Sequence, residues 1–396
     1  MLERYLRVRS ETEARAAPLS AEDQGVQSMP DASPTKWHLA HTTWFFEVMV
    51  LMPFLAGYRP CNDCYLELFN SYYESLGPRH PRPQRGMLTR PGLAEVMQYR
   101  AAVDIAMRQL LDASDVPQRA RFAAAVELGL NHEQQHQELM WTDIQHALSL
   151  NPISPVYSAT APLPRRGAGT SSWIDLPGGE VEVGHAGAGF AFDNETPCHH
   201  VRLAPFGLAS QLVSNGDMLA FIRDGGYRRA SVWLSDGWAQ VQAQGWQAPL
   251  YWRTAGTDGG EPASRFSLRG EVPWRADEPA CHLSFYEAAA YAEWAGARLP
   301  TEFEWEAASH HRDAPGLSDL FGQVWQWTRS SYDPYPRFKP MAGAAAEYNG
   351  KFMVGQLVLR GSSLATPAGH TRPSYRNFFS PAARWQFTGL RLARDL

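Results

Sequence analysis

His132 and His136 stand four residues apart in the run Asn131-His132-Glu133-Gln134-Gln135-His136-Gln137-Glu138. On a helix that spacing puts both imidazoles on one face, one turn apart, where they can share a metal ion. Such pairs also occur by chance on solvated helix faces, so a metal site needs at least one more protein ligand from elsewhere in the chain. His38 and His41, three residues apart, each qualify. Cys61 and Cys64 form a C-x-x-C with no second pair at zinc-ribbon spacing; a structural zinc or redox role is open to them, and two incidental thiols in a reducing cytoplasm is the reading preferred.

The elements that must position these histidines are helical. Between Gln118 and Leu148 there is no proline and a single glycine, Gly129. Across the same stretch Phe122, Val126, Leu130, Leu139, Ile144 and Leu148 recur about once per helical turn. Ser33-Pro34 reads as an N-cap followed by a first-turn proline, opening a helix from Lys36 to about Leu55 that carries His38 and His41. Two more helices are predicted over Leu2–Ala16 and Gly92–Ser114. Residues 1–150 therefore predict a four-helix bundle with inward-facing histidines. Between its helices, residues 57–91 are too rich in Gly and Pro for a regular helix. This loop holds Tyr72-Tyr73 and then Arg79, Arg82, Arg85 and Arg90, whose guanidinium forks suit carboxylates.

A chain of 396 residues exceeds what one core usually supports and predicts two or three domains. Net charge is -5 with no basic cluster, which argues against a nucleic-acid partner. No stretch approaches 18 apolar residues and no signal peptide is visible, so a soluble, cytoplasmic protein is expected, a monomer by default. Residues 151–172, with four prolines, read as a linker. Beyond it, residues 173–396 alternate short β-like runs with turns and tryptophans and predict an irregular α+β domain. Helices are expected over Asn215–Asp224 and Ser284–Gly296, the second opening with a Ser284/Glu287 capping box.

His38-Leu39-Ala40-His41-Thr42-Thr43-Trp44-Phe45, together with His132-x-x-x-His136-x-Glu138, resembles the DinB-like bundle of ergothioneine-type sulfoxide synthases. Phe190–Glu195, Trp294–Glu302, Tyr348–Phe352 and Arg376–Phe379 look like their second domain, a formylglycine-generating-enzyme-like, C-type-lectin-like α+β fold that completes the substrate pocket. The resemblance spans roughly residues 30–394 and implies an O2-dependent, non-haem Fe(II) enzyme. Its iron ligands fall on His41, His132 and His136, and three imidazoles leave iron positions open for substrate and O2. The family forms a carbon–chalcogen bond at the ring carbon between the two nitrogens of hercynine (trimethylhistidine). By the same resemblance Gln135 contacts substrate, Glu138 plays a supporting part, and Tyr73, in preference to Tyr72, is the catalytic tyrosine. Asn377, Phe378 and Phe379 would hold the trimethylammonium and its carboxylate.

Some segments depart from the family pattern. Gly361-Ser362-Ser363-Leu364 stands where Gly-Gly-Ser-Cys is expected, and Gly322-Gln323-Val324-Trp325-Gln326 stands where Gly-Asp-Val-Trp-Glu is expected. The neutral amides Gln323 and Gln326 suit sugar hydroxyls, which favours the selenosugar donor of the related selenoneine synthases. Arg79, Arg82 and Arg85 instead suit cysteine or γ-glutamylcysteine, the ergothioneine sulfoxide synthase alternative. The remaining alternatives are an ovothiol-type synthase acting on the other ring carbon, a DinB-type metal-binding protein without turnover, and a lectin-like binding module.

Overall fold

The computed structural model describes residues 1–165, 167, 171–254, 261–311 and 316–396. The chain divides into two compact units: Met1–Ser158 with Met341–Tyr348, and Ala159–Pro340 with Asn349–Leu396. The short segment Met341–Tyr348 thus packs in the helical unit, although its position in sequence suggested the second domain.

In the helical unit, α1 is Leu2–Ala16, α2 Thr35–Phe46, α3 Met52–Phe54, α4 Asp63–Leu68, α5 Leu93–Ala113 and α6 Val116–Ser149. Helix α6 opens with a capping box, two residues before the stretch read as helix from Gln118. Asp115 accepts the Gln118 backbone N–H, Gln118 answers to the Asp115 backbone N–H, and Pro117 occupies the first turn. Ser33 does not cap α2; Pro34 holds that position. Ser33 is engaged elsewhere: its N–H donates to Asp143 Oδ2 at 2.8 Å and its Oγ accepts from Arg85 Nη1 at 3.0 Å. Nor does α2 run unbroken to Leu55. After Phe46 the chain widens into a π-helical turn, Glu47–Leu51, where the buried Glu47 carboxylate accepts from Tyr58, Tyr99 and the Cys61 N–H. The loop expected to hold no helix contains α4, capped by Asn62, which the high Pro content nearby concealed.

Helices α2 and α6 approach closely at Gly129. A Cβ there would lie 2.6 Å from a ring carbon of the fully buried Phe46, so only glycine admits this contact. Phe46 and its neighbour Phe45 are thereby laid against the histidine-bearing stretch of α6.

The second unit contains β1 (Trp173–Leu176), β2 (Gly179–Val183), β3 (His199–Leu203), β4 (Phe206–Ala209), α7 (Asn215–Arg223), α8 (Ser235–Gln244), β5 (Trp252–Thr254), β6 (Pro262–Ser267) and β7 (Gly270–Pro273). It continues with α9 (Phe285–Trp294), α10 (Glu302–His310), β8 (Trp325–Ser331), β9 (Leu357–Arg360), β10 (Asn377–Phe379), β11 (Thr388–Gly389) and β12 (Ala393–Asp395). Among the described residues the strands form small sheets ordered β1-β4-β12, β10-β9-β8-β11, β2-β3 and β5-β6-β7. The predicted α+β character holds, and so do α7 and α9 with their caps; α8 and α10 were not anticipated.

The Leu299-Pro300-Thr301-Glu302 motif has a structural purpose. Thr301 caps α10, and the buried Glu302 carboxylate accepts from Arg360 Nη2 at 2.7 Å and from Arg376 Nε at 2.8 Å. Burial raises the Glu302 pKa, but the two guanidiniums outweigh it and hold it below the usual carboxylate value. A carboxylate depressed in this way stabilises the fold above its unfolded pKa, and that stability is lost as pH falls through the folded pKa. Glu302→Gln is accordingly expected to destabilise the protein by about 3–5 kcal/mol near pH 7, by leaving two buried cations short of a partner. The gap to wild type should narrow in acid. Urea melts at pH 7 and pH 3 check this, and a gap that does not change with pH would refute it. No helix among the described residues is long and apolar enough to cross a membrane.

Candidate metal centre

The helix-spacing argument brings His132 and His136 to one face of α6, and α2 delivers His41 opposite them. One ligand atom from each of the three lies within 4.8 Å of the others, and all three residues are buried. His41 Nε2 and His132 Nε2 are 3.2 Å apart. Two nitrogens held about 2.1 Å from one metal sit roughly 3.0 Å apart at a right angle and roughly 3.4 Å apart at a tetrahedral angle, so this pair is set for a shared ion.

The protonation states agree. Burial pushes the His41 and His136 pKa values well down, aided by the neighbouring imidazoles, and burial takes His132 down to about 3. Neutral imidazoles are the form that ligates metals. His41 Nδ1 lies 2.6 Å from the Phe69 carbonyl, a distance only an N–H donor can occupy, which leaves the Nε2 lone pair facing the centre. His136 Nδ1 lies 2.8 Å from His38 Nδ1, and His38 Nε2 lies 3.1 Å from Asp143 Oδ2. His38, the sequence's other candidate ligand, therefore stands behind His136 and not beside the metal. His132 Nδ1 has no hydrogen-bond partner among the described residues.

Flat side chains wall the cluster. Trp37 stacks on His41 with ring centroids 4.6 Å apart, Trp44 stacks on its other side at 5.6 Å, and Phe45 lies 4.5 Å from His132. Arg85 sits over Trp37, its guanidinium carbon 3.3 Å from the ring centroid. It is 4% exposed, donates to Ser33 and Ser71 hydroxyls, and leaves Nε unpartnered among the described residues. Burial pushes its pKa down, as expected for a cation with no carboxylate in contact among the described residues. The other arginines differ. Arg79 pairs with Glu74 at 2.8 Å at the surface, and the exposed Arg82 donates to the Asp31 carbonyl.

Beside the histidines lies a charge network absent from the sequence reading. Glu133, fully buried, accepts from Arg9 and from Arg100, each at 3.1 Å. Arg100 also donates to the Leu39 carbonyl and to Thr42, and Arg9 donates to Thr43. Burial would raise the Glu133 pKa, but the two arginines hold it down at about 2. The network joins α1, α2, α5 and α6 at the level of the ligands.

The fully buried Tyr73 stacks on Tyr72 at 4.7 Å and packs on Trp44 and Phe45, one ring removed from His41 and His132. Among the described residues Tyr348 is the tyrosine against the histidine cluster: its ring lies 5.6 Å from that of His132 and its hydroxyl donates to Gln135 Oε1. Glu347 secures this segment by accepting the Glu74 and Ser75 backbone N–H groups at 3.0 and 2.9 Å. A residue some 210 positions downstream of Gln135 carries no spacing signal, which is why the sequence did not nominate it as a site residue. Glu138 is half-buried and outside the ligand cluster.

The remaining candidates belong to the second unit. Asn377, Phe378 and Phe379 form β10, where Phe378 stacks on Tyr332 at 4.0 Å and Asn377 Oδ1 accepts the Phe378 N–H. Gln323 Oε1 accepts the Arg165 N–H at 2.9 Å. Gln326 is fully buried and uses both ends of its amide, accepting from Trp305 and Arg391 and donating to the Leu320 carbonyl. The amide taken as suited to a sugar is thus a packing residue at position 326.

The comparisons with known proteins match this architecture. Residues 4–140 match the DinB superfamily, and residues 159–314 and 309–396 match the sulfatase-modifying factor enzyme 1-like domain. The hercynine oxygenase of Mycolicibacterium thermoresistibile is 34% identical, over 93% of this chain and 88% of its own length. That of Mycobacterium tuberculosis is 34% identical, over 93% and 92% respectively. The formylglycine-generating enzyme of Streptomyces coelicolor is 34% identical over 39% of this chain and 52% of its own length. With a buried three-histidine cluster on a DinB bundle and end-to-end similarity of this kind, the chain belongs to the hercynine oxygenase family.

Proposed function

We propose that this chain is an O2-dependent enzyme acting on hercynine, with Fe(II) held by His41, His132 and His136, and that it forms a carbon–sulfur bond at the carbon between the ring nitrogens. The observation that carries this reading is the buried three-imidazole cluster in a chain similar to hercynine oxygenases along nearly its whole length. Bound Fe(II) would supply one-electron chemistry with O2 and a point at which imidazole and donor meet.

The chain's own residues orient and protonate. Gln135 and Tyr348, hydrogen-bonded beside His132, present polar groups to the substrate ring. Tyr73 is kept protonated by burial, reinforced by the neighbouring Tyr72 and Tyr348 hydroxyls, and so can serve as a proton donor. Arg85, a buried guanidinium with no carboxylate in contact among the described residues, supports a donor that carries one, namely cysteine or γ-glutamylcysteine. The sugar argument weakens with Gln326 and Gln323, whose amides have partners inside the second unit. Asn377, Phe378 and Phe379 stay proposed contacts for the hercynine ammonium and carboxylate.

The test is anaerobic loading with Fe(II), then hercynine and each donor in air, with mass spectrometry of the product. A sulfoxide from cysteine or γ-glutamylcysteine is expected. A product formed from the selenosugar alone would restore the selenium reading, and no product from any donor would leave a metal-binding protein without turnover. Preference for unmethylated histidine would point to the ovothiol-type reaction. Tyr348→Phe loses one hydrogen bond of about 1–2 kcal/mol and is expected to raise the hercynine KM roughly tenfold with metal content unchanged. An unchanged KM would remove Tyr348 from the substrate site.

A further inference from the structure

We propose that Asp143 and His38 form a hydrogen-bond relay that fixes the tautomer of His136, and so act as positioning residues for the metal centre. The inference rests on the reading of His41, His132 and His136 as metal ligands and adds what decides whether one of them can ligate.

His38 Nε2 lies 3.1 Å from Asp143 Oδ2, and a carboxylate oxygen can only accept. The proton is therefore on His38 Nε2, and in the neutral ring Nδ1 must be an acceptor. That Nδ1 lies 2.8 Å from His136 Nδ1, so the proton between them belongs to His136. His136 is then the Nδ1–H tautomer, and its Nε2 carries the free lone pair. The reverse assignment would set a lone pair of His38 against a carboxylate and leave His136 protonated on Nε2, where it cannot bind a metal. Asp143 is itself fixed, since the same Oδ2 accepts the Ser33 N–H at 2.8 Å just before α2 begins.

The three ligands are therefore oriented by three different means. His41 is fixed by one carbonyl, from Phe69. His136 is fixed through a second histidine by a carboxylate on its own helix, seven residues on. His132 has no partner on its outer nitrogen among the described residues, so packing against Phe45 orients it. All three relay members are buried, at 2%, 7% and 8% exposure for His38, Asp143 and His136, so water does not readily take over any member's part.

The test uses the full chain. In the metal-free protein with 15N-labelled histidine, nitrogen shifts are expected to show His136 as Nδ1–H and His38 as Nε2–H. The opposite tautomers would overturn the relay; the ligand assignment is read separately, from Co(II) binding. Co(II) titration then reads affinity. His38→Leu, which removes the acceptor, is expected to raise the Co(II) dissociation constant roughly 10–100-fold and to release His136 into a mixture of tautomers. His38→Asn, whose carbonyl oxygen can sit near the lost Nδ1, is expected to recover most of the affinity. A His38→Leu protein that folds and binds Co(II) within about threefold of wild type would overturn the proposal. Should that variant not fold, the tautomers of the wild-type protein decide. Failure of the wild type to bind Co(II) at all would instead sink the ligand assignment.

Discussion

His41→Ala is expected to leave a folded protein that binds metal some two orders of magnitude more weakly and turns over no detectable hercynine. A metal held by protein ligands gains on the order of 10 kcal/mol, and one of three imidazoles accounts for roughly 3 kcal/mol of it. His41 is the sharpest choice because it is the proposed ligand from α2. His132 and His136 come from α6 and could still bind as a pair. The substitution also opens space between the stacked rings of Trp37 and Trp44, a cavity that costs about 1–2 kcal/mol and lowers the melting temperature modestly. Metal titration and thermal melts separate the two effects. Wild-type Co(II) affinity in this variant would exclude His41 as a ligand.

Arg100→Leu is expected to be the most destabilising single change in the helical unit outside its apolar core. Arg100 is fully buried and holds Glu133, the Leu39 carbonyl and Thr42. Its loss leaves Glu133 a buried carboxylate with one arginine in place of two, which costs about 3–5 kcal/mol and lowers the melting temperature by roughly 10 °C. Because the guanidinium links α2 to the residue after His132, metal affinity should fall as well. Removing both charges with Arg100→Leu and Glu133→Leu together should restore part of the stability, as no buried carboxylate is then stranded. A melting temperature within 2–3 °C of wild type in the single variant would show that the network contributes little.

Both expectations depend on how the histidines are held, and here sequence and structure contributed differently. The i, i+4 pair His132/His136, the long helix around it and the later helices α7 and α9 were legible because helical periodicity and capping are local rules. The α+β character of the second unit was legible from its turn-rich composition. What stayed hidden involved partners far apart in the chain. Gly129 looked like a blemish in a helix, yet it is where Phe46 enters. Glu302 looked like part of a family signature, yet it neutralises Arg360 and Arg376 inside the core. Gln326 looked like a recognition group, yet its amide is spent on Trp305, Arg391 and Leu320.

The sequence by itself determined the ligand chemistry: two imidazoles one helical turn apart, a third on a preceding helix, and a loop rich in tyrosine and arginine. It left open which of His38 and His41 is the ligand, except by resemblance, and by resemblance it named Tyr73 as the catalytic tyrosine. The tertiary structure shows which of these side chains stand together. It set His41 3.2 Å from His132, placed His38 between His136 and Asp143, and brought Tyr348 to Gln135 across the chain. The physical reason is that spacing fixes which side chains share a helix face. Which of them meets a metal, a carboxylate or a neighbouring ring is fixed only when separate helices pack, and that packing here runs through Gly129 and the buried charges of Arg9, Arg100 and Glu133.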